Sequence, residues 1–209
     1  MSNPYSLHPT NGTRRALLAV TAVVGLVGIT LTSLTSSSSA AAKDPWLDAS
    51  KPIATRVNTL MAAMTLEEKV GQMDQQLVTT VTGPDGDSCG DSGFAMPNPD
   101  CMKRVLIDNK AGSLLAGGTD NPIDTTGQGG VGNTGFDWAN EYNMIQQYAI
   151  KNSRLHIPLI FGIDAVHGFG HPWEAPLYPQ SIGMGATWDP ALAQSGGEAT
   201  AKALRATGW

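Results

Sequence analysis

A chain of 209 residues that is 41% hydrophobic and 15% charged has the composition of a globular protein, not of a disordered or fibrous one. Its 13 basic and 18 acidic residues give a net charge of −5; residues 1–42 contribute only Arg14 and Arg15, so the remainder carries −7. That acidity excludes nucleic acid as a partner, because such binding rests on neutralising phosphates, and it suits an uncharged ligand.

Residues 1–42 read as a twin-arginine-like signal peptide. Thr13-Arg14-Arg15-Ala16-Leu17-Leu18 sets paired arginines ahead of an apolar run that ends at Leu31, and Ala40-Ala41-Ala42 fits a small-residue cleavage site before Lys43. The expectation is an exported, extracellular protein of bacterial type with no stable membrane association after cleavage; an uncleaved anchor is the alternative. The sequon Asn11-Gly12-Thr13 falls inside this leader and carries no weight.

Beyond the leader, Ile53, Val57, Leu60, Met61 and Met64 recur at helical spacing and predict a first helix with one apolar face. Thr65-Leu66-Glu67-Glu68 reads as a capping box that opens a second helix, with Leu66, Val70 and Met73 turned inward. Residues 82–99 are rich in turn formers and hold Cys89, with Cys101 just beyond. In an exported protein two cysteines around such a stretch form a disulfide or remain free thiols, and export favours the bridge. With no matching His pair they do not make a zinc site.

A short helix around 100–110 leads to Gly112-Ser113-Leu114-Leu115-Ala116-Gly117-Gly118, a strand closed by glycines. After a polar loop over 119–136, Asp137 is placed to cap a helix in which Trp138, Tyr142, Ile145 and Ala149 share a face. Ile157 to Ile163 is an unbroken apolar run, the pattern of a strand buried on both faces of a parallel sheet. The last helix has Asp189 as N-cap, Pro190 in its first turn and Gly208 at its C-terminus. Gly196 and Gly197 inside it would permit close packing on the sheet.

Strands alternating with helices define an α/β protein with a parallel sheet. Only two or three strands can be counted, whereas a closed (β/α) barrel takes about 250 residues. The expected fold is therefore an incomplete TIM-type (β/α) barrel, its first strands with their helices, over residues 43–209. Such a sheet leaves one edge unpaired.

Two motifs fail on context. Gly127-Gln128-Gly129-Gly130-Val131-Gly132 fits the dinucleotide pattern but follows no apolar strand and opens no helix, so a nicotinamide binder is disfavoured. Asp85-Gly86-Asp87 begins like a calcium loop, yet Cys89 and Met96 stand where ligands belong. No metal site is expected.

The informative stretch is Ile157-Pro158-Leu159-Ile160-Phe161-Gly162-Ile163-Asp164-Ala165-Val166-His167-Gly168. Asp164 stands where a strand gives way to a loop, the rim at which barrel enzymes meet substrate. A carboxylate there can accept two sugar hydroxyls, or it can cap the following turn. His167 can line the same pocket or bond a loop carbonyl. Among the tryptophans, Trp138 fits a core position, and Trp173 on the rim loop is the better candidate to stack on a sugar. Glu174 is a nearby rim carboxylate that solvent would ordinarily claim.

These stretches resemble the N-terminal part of the barrel domain of family 3 glycoside hydrolases, in particular the exo-acting β-glucosidase branch. Met64-Thr65-Leu66-Glu67-Glu68-Lys69-Val70-Gly71-Gln72-Met73 is similar to that family's opening helix, and Gly112-Ser113-Leu114-Leu115 to its first strand. Gly162-Ile163-Asp164-Ala165-Val166-His167-Gly168 resembles its sugar-binding segment, and Tyr178-Pro179-Gln180-Ser181-Ile182-Gly183-Met184-Gly185-Ala186-Thr187 resembles the segment after it. The likeness spans nearly all of 45–209. It implies retaining hydrolysis of O-glycosidic bonds, releasing β-linked glucose from non-reducing ends without a cofactor, on β-glucoside or oligosaccharide substrates.

It also implies that Asp164 holds glucose hydroxyls, while the nucleophile and the acid/base lie beyond Trp209, leaving the chain inactive alone. The stretch Phe169-Gly170-His171-Pro172-Trp173-Glu174 departs from the His-Asn-rich sequence common in the family there. A non-catalytic fragment with weak or no sugar binding is the other reading, and turnover separates the two.

Overall fold

A computed structural model describes residues 44–83, 89–90, 96–116, 121–123 and 132–209. Residues 1–42, read above as a signal peptide, the Asp85-Gly86-Asp87 segment and most of the Gly127–Gly132 motif lie outside the described residues. Strands β1 (Gln75–Leu77), β2 (Ser113–Ala116) and β3 (Ile160–Ile163) form a parallel sheet in the order β1-β2-β3. The register pairs Gln76 with Leu114 and Leu114 with Phe161. The helices are α1 (Ile53–Ala63), α2 (Leu66–Gly71), α3 (Pro99–Met102), α4 (Gly135–Asn152), α5 (Ser181–Gly185) and α6 (Pro190–Thr207). An α/β protein with a parallel sheet is what the chain forms.

Local chemistry explains most of the boundaries. In α2 the Thr65 hydroxyl accepts from the Glu68 amide at 3.2 Å, while a Glu68 carboxylate oxygen accepts from the Thr65 amide at 2.8 Å. The Asn98 side chain caps α3, Pro99 occupies its first turn, and the helix runs on as a π-helical segment, Lys103–Asp108. In α4 the cap is Thr134, not Asp137. Asp137 sits one turn in and closes a capping box, its carboxylate accepting from the Thr134 amide at 2.9 Å. Both residues carry an oxygen able to cap, and position three is where a box needs its acid. Asp189 caps α6, and Gly208 ends it at φ 88°, where a Cβ would stand 2.6 Å from the Tyr142 ring.

The core gathers on β2 and α4. Leu114 and Ala116 of β2 are buried with Val105 and Leu106 from the π-helical segment and with Trp138, Ile145 and Ala149 from α4. Cys89 and Cys101 are joined in a disulfide with Cα atoms 5.8 Å apart. The bridge ties the loop after β1 to the buried half of α3, Cys101 and Met102.

Three sequence expectations give way. The apolar run at 157–163 pairs with β2 only along Ile160–Ile163, and β3 is an edge, with Ile160 72% exposed. A continuous apolar run reports what a strand can bury, not whether a neighbour covers it. The α1 face is covered only towards its end, where Leu60 is half-buried and Met64 buried; Ile53, Val57 and Met61 stay exposed, and Leu66 and Met73 are 71% and 79% exposed. Helix α1 packs against the 3₁₀ turn Pro45–Leu47. Finally, a Cβ on Gly197 would meet nothing within 4 Å and one on Gly196 only Met184 at 3.7 Å, so neither glycine mediates close packing on the sheet.

At the N-terminal end of the strands Arg154 clamps α2 to the α4–β3 connection. Its guanidinium donates to both Glu68 carboxylate oxygens, at 2.9 and 2.5 Å, and to the Ala63 carbonyl at 2.8 Å. The Arg154 hydrogen bond holds the Glu68 carboxyl below its ordinary value. A carboxylate with a depressed folded pKa adds stability above its unfolded pKa and loses it as pH falls through the folded one. Arg154→Ala is therefore expected to lower the urea midpoint at pH 7, modestly because the arginine is exposed. The gap between the two proteins should narrow at a pH below the ordinary carboxylate range, as the folded Glu68 carboxyl takes up its proton. An equal gap at both pH values would show that the ion pair is not its source.

Candidate active site

Strand β3 delivers Asp164 to the C-terminal end of the sheet, one residue past its last pair, Ala116 with Ile163. In parallel α/β sheets this is the end where ligands bind, because the loops there are free to vary over a fixed scaffold. The Asp164 side chain is exposed.

The loop after it folds back on itself. The Tyr178 amide donates to the His167 carbonyl at 2.8 Å, and Gly168 turns the chain at φ 103°. A Cβ on Gly168 would stand 2.7 Å from the Pro176 carbonyl and 3.1 Å from the Tyr178 ring, so glycine is needed on both counts. Phe169 is then buried against Trp138, ring centroids 5.8 Å apart and nearly perpendicular. Trp138 is anchored in turn by its indole N–H, which donates to the Asn133 side chain at 2.7 Å.

This fold-back shapes a cavity of ≈ 290 Å³ lined by Asp164, Val166, His167, Gly168, Gly170, His171 and Leu177. Asp164 and His167 are thus brought to one site. His167 also borders a larger, mainly apolar cavity of ≈ 640 Å³ between this loop and α6, with Ile163, Tyr178, Met184 and Leu204. The His167 Nδ1 is buried there without a hydrogen-bond partner.

Trp173 does not line the smaller cavity; it is 60% exposed, and its amide donates to the Asn133 carbonyl at 2.7 Å. Glu174 is exposed at φ 63° and is likewise not among the lining residues. Sequence spacing assigns His171 no role, yet its Nε2 lies 3.1 Å from the Asp164 carbonyl oxygen. Among the described residues no group of three or more His, Cys, Asp or Glu side chains could hold a metal ion. Among them, too, no helix is long and apolar enough to cross a membrane.

A carboxylate that shares a cavity with two histidines, open to solvent at the C-terminal end of a parallel sheet, can accept hydroxyl hydrogen bonds from a neutral polyol. Residues 65–209 match the glycosyl hydrolase family 3 N terminal domain. The chain belongs to glycosyl hydrolase family 3.

Relatives bear this out. Over 154 residues it is 30% identical to the lysosomal beta glucosidase of Dictyostelium discoideum, covering 74% of this chain and 17% of that protein. Over 169 residues it is 30% identical to beta-glucosidase C of Emericella nidulans, covering 77% and 24%. Among solved structures, a mutant exo-1,3/1,4-beta-glucanase from a Pseudoalteromonas species superposes with a TM-score of 0.52 at 28% identity, covering 74% of this chain and 21% of that one. The chain thus spans about a fifth of the length of these proteins. The family match begins at Thr65, the cap of α2, so α1 lies outside it.

Proposed function

We propose that this chain supplies one wall of the sugar pocket in an exported, retaining β-glucosidase-type hydrolase that releases glucose from non-reducing ends. The observation that carries the proposal is the placement of Asp164, solvent-facing at the mouth of a cavity at the C-terminal end of β3, within a family 3 domain. The three parallel strands are then the opening strands of a (β/α) barrel, and residues 1–42 a signal peptide removed on export.

In this reading the two Asp164 oxygens accept hydroxyls of the terminal glucose, the charge strengthening each bond and the pair fixing the ring's orientation. His167, beside it, contributes a further polar contact. Trp173, on the outer rim, offers an aromatic face to the sugar that leaves. The reacting carboxylates come from sequence outside these 209 residues. One attacks the anomeric carbon, the other protonates the departing oxygen, and water resolves the covalent intermediate, so the β configuration is retained. No metal or organic cofactor takes part.

Two cheap observations on the full-length enzyme test this. An aryl β-glucoside should be cleaved at higher kcat/KM than the matching β-N-acetylglucosaminide, and NMR should show β-glucose as the first-formed product. α-Glucose appearing first would exclude the retaining mechanism, and a preference for the N-acetylglucosaminide would exclude the substrate class.

A further inference from the structure

We infer that His171 is a positioning residue for the sugar-binding carboxylate: its imidazole, seated on the buried core, fixes the backbone of Asp164 by a hydrogen bond. The inference rests on the reading of Asp164 as a sugar ligand.

The Nε2···O distance of 3.1 Å is that of a hydrogen bond, and a carbonyl oxygen has only lone pairs to offer. Nε2 must therefore carry the proton and donate. The neutral Nε2–H tautomer and the imidazolium both satisfy this, so the link survives protonation of the ring. The ring lies 5.8 Å from Trp138 and 5.9 Å from Phe169 by centroids, and both of those side chains are buried. A continuous path of packed groups thus runs from α4 through Trp138 to His171 and on to Asp164.

Among the described residues the last strand pair is Ala116 with Ile163, and β3 has a neighbour on one side only. The His171 bond sets the plane of the Asp164–Ala165 peptide, and the carboxylate rides on the same Cα. Both side chains line one cavity, so a shift of this peptide moves the acceptor within it. A phenylalanine could fill the same ring seat, but only a donor at the Nε2 position reaches the carbonyl.

The test uses the full-length enzyme with an aryl β-glucoside as substrate and glucose as competitive inhibitor. His171→Phe keeps the ring and loses the donor. KM and the glucose inhibition constant should both rise about fivefold, the worth of one hydrogen bond. The kcat should change less than about twofold, because binding of ground and transition states is weakened alike. His171→Gln, whose amide nitrogen reaches the place of Nε2, should restore both constants. In an Asp164→Asn background His171→Phe should add nothing, since the histidine acts through Asp164.

Wild-type constants in His171→Phe, with Asp164→Asn impaired, would overturn the role of His171 and leave the sugar-ligand reading standing. An unimpaired Asp164→Asn would remove that reading and this inference with it. Equal losses in His171→Gln and His171→Phe would also overturn it. Should His171→Phe fail to fold, His171→Asn decides: its shorter amide misses the carbonyl, and wild-type constants in it would contradict the inference.

Discussion

Asp164→Asn in the full-length enzyme is expected to lower kcat/KM for an aryl β-glucoside by about 10²- to 10³-fold while leaving the melting temperature almost unchanged. The side chain is exposed at the end of β3 and supports no packing, so its loss does not disturb the core. What changes is the acceptor. A carboxylate can take two hydroxyls at once, each charge-assisted bond being worth about 1.5–3 kcal/mol. Asparagine retains one neutral oxygen and turns an N–H towards the second hydroxyl. Steady-state kinetics with a thermal melt decide the matter, and a kcat/KM within about twofold of wild type would remove Asp164 from the site.

The largest effect on stability is expected from Trp138→Ala, a loss of about 3–5 kcal/mol by urea denaturation. Trp138 is 1% exposed and meets Phe169, His171 and Trp209 at centroid distances of 5.8, 5.8 and 5.4 Å. Truncation opens a cavity beneath these rings and leaves the Asn133 side-chain oxygen without its indole donor. The damage extends to the site, because Phe169 and His171 belong to the loop that carries Asp164. Trp138→Phe keeps an aromatic body and loses the N–H, so it should cost clearly less. A loss under about 1 kcal/mol for the alanine variant would mean that these rings are not the support of the loop.

How much of this was legible in the residues depended on how local the cause was. The Thr65–Glu68 box, the Asp189–Pro190 start and the Gly208 end of α6 are written within one turn of chain, and each appears where the residues place it. The stripe of Trp138, Ile145 and Ala149 is long enough for helical periodicity to declare its buried face. Strand β1 is the opposite case. Gln75-Gln76-Leu77 has neither length nor alternation, and its pairing follows from Gly112, whose amide donates to the Gly71 carbonyl at 2.9 Å.

That the sheet would keep an unpaired edge followed from the strand count, but that β3 would be exposed there was not legible in its residues: an apolar run carries no information about which strand lies beside it. In the site, Asp164 was legible through a family-like motif at a strand end. His171 was not, because its role depends on the fold-back at Gly168 and on a ring seat supplied by Trp138, thirty-three residues earlier in the chain.

The most direct measurement is the hydrolysis of an aryl β-glucoside by residues 43–209 beside a longer form that reaches past Trp209. Turnover is expected in the longer protein and none above background in residues 43–209, which would hold a pocket wall without the reacting carboxylates. Turnover by residues 43–209 alone would contradict the assignment, and Asp164 and Glu174 would then be the first side chains to replace.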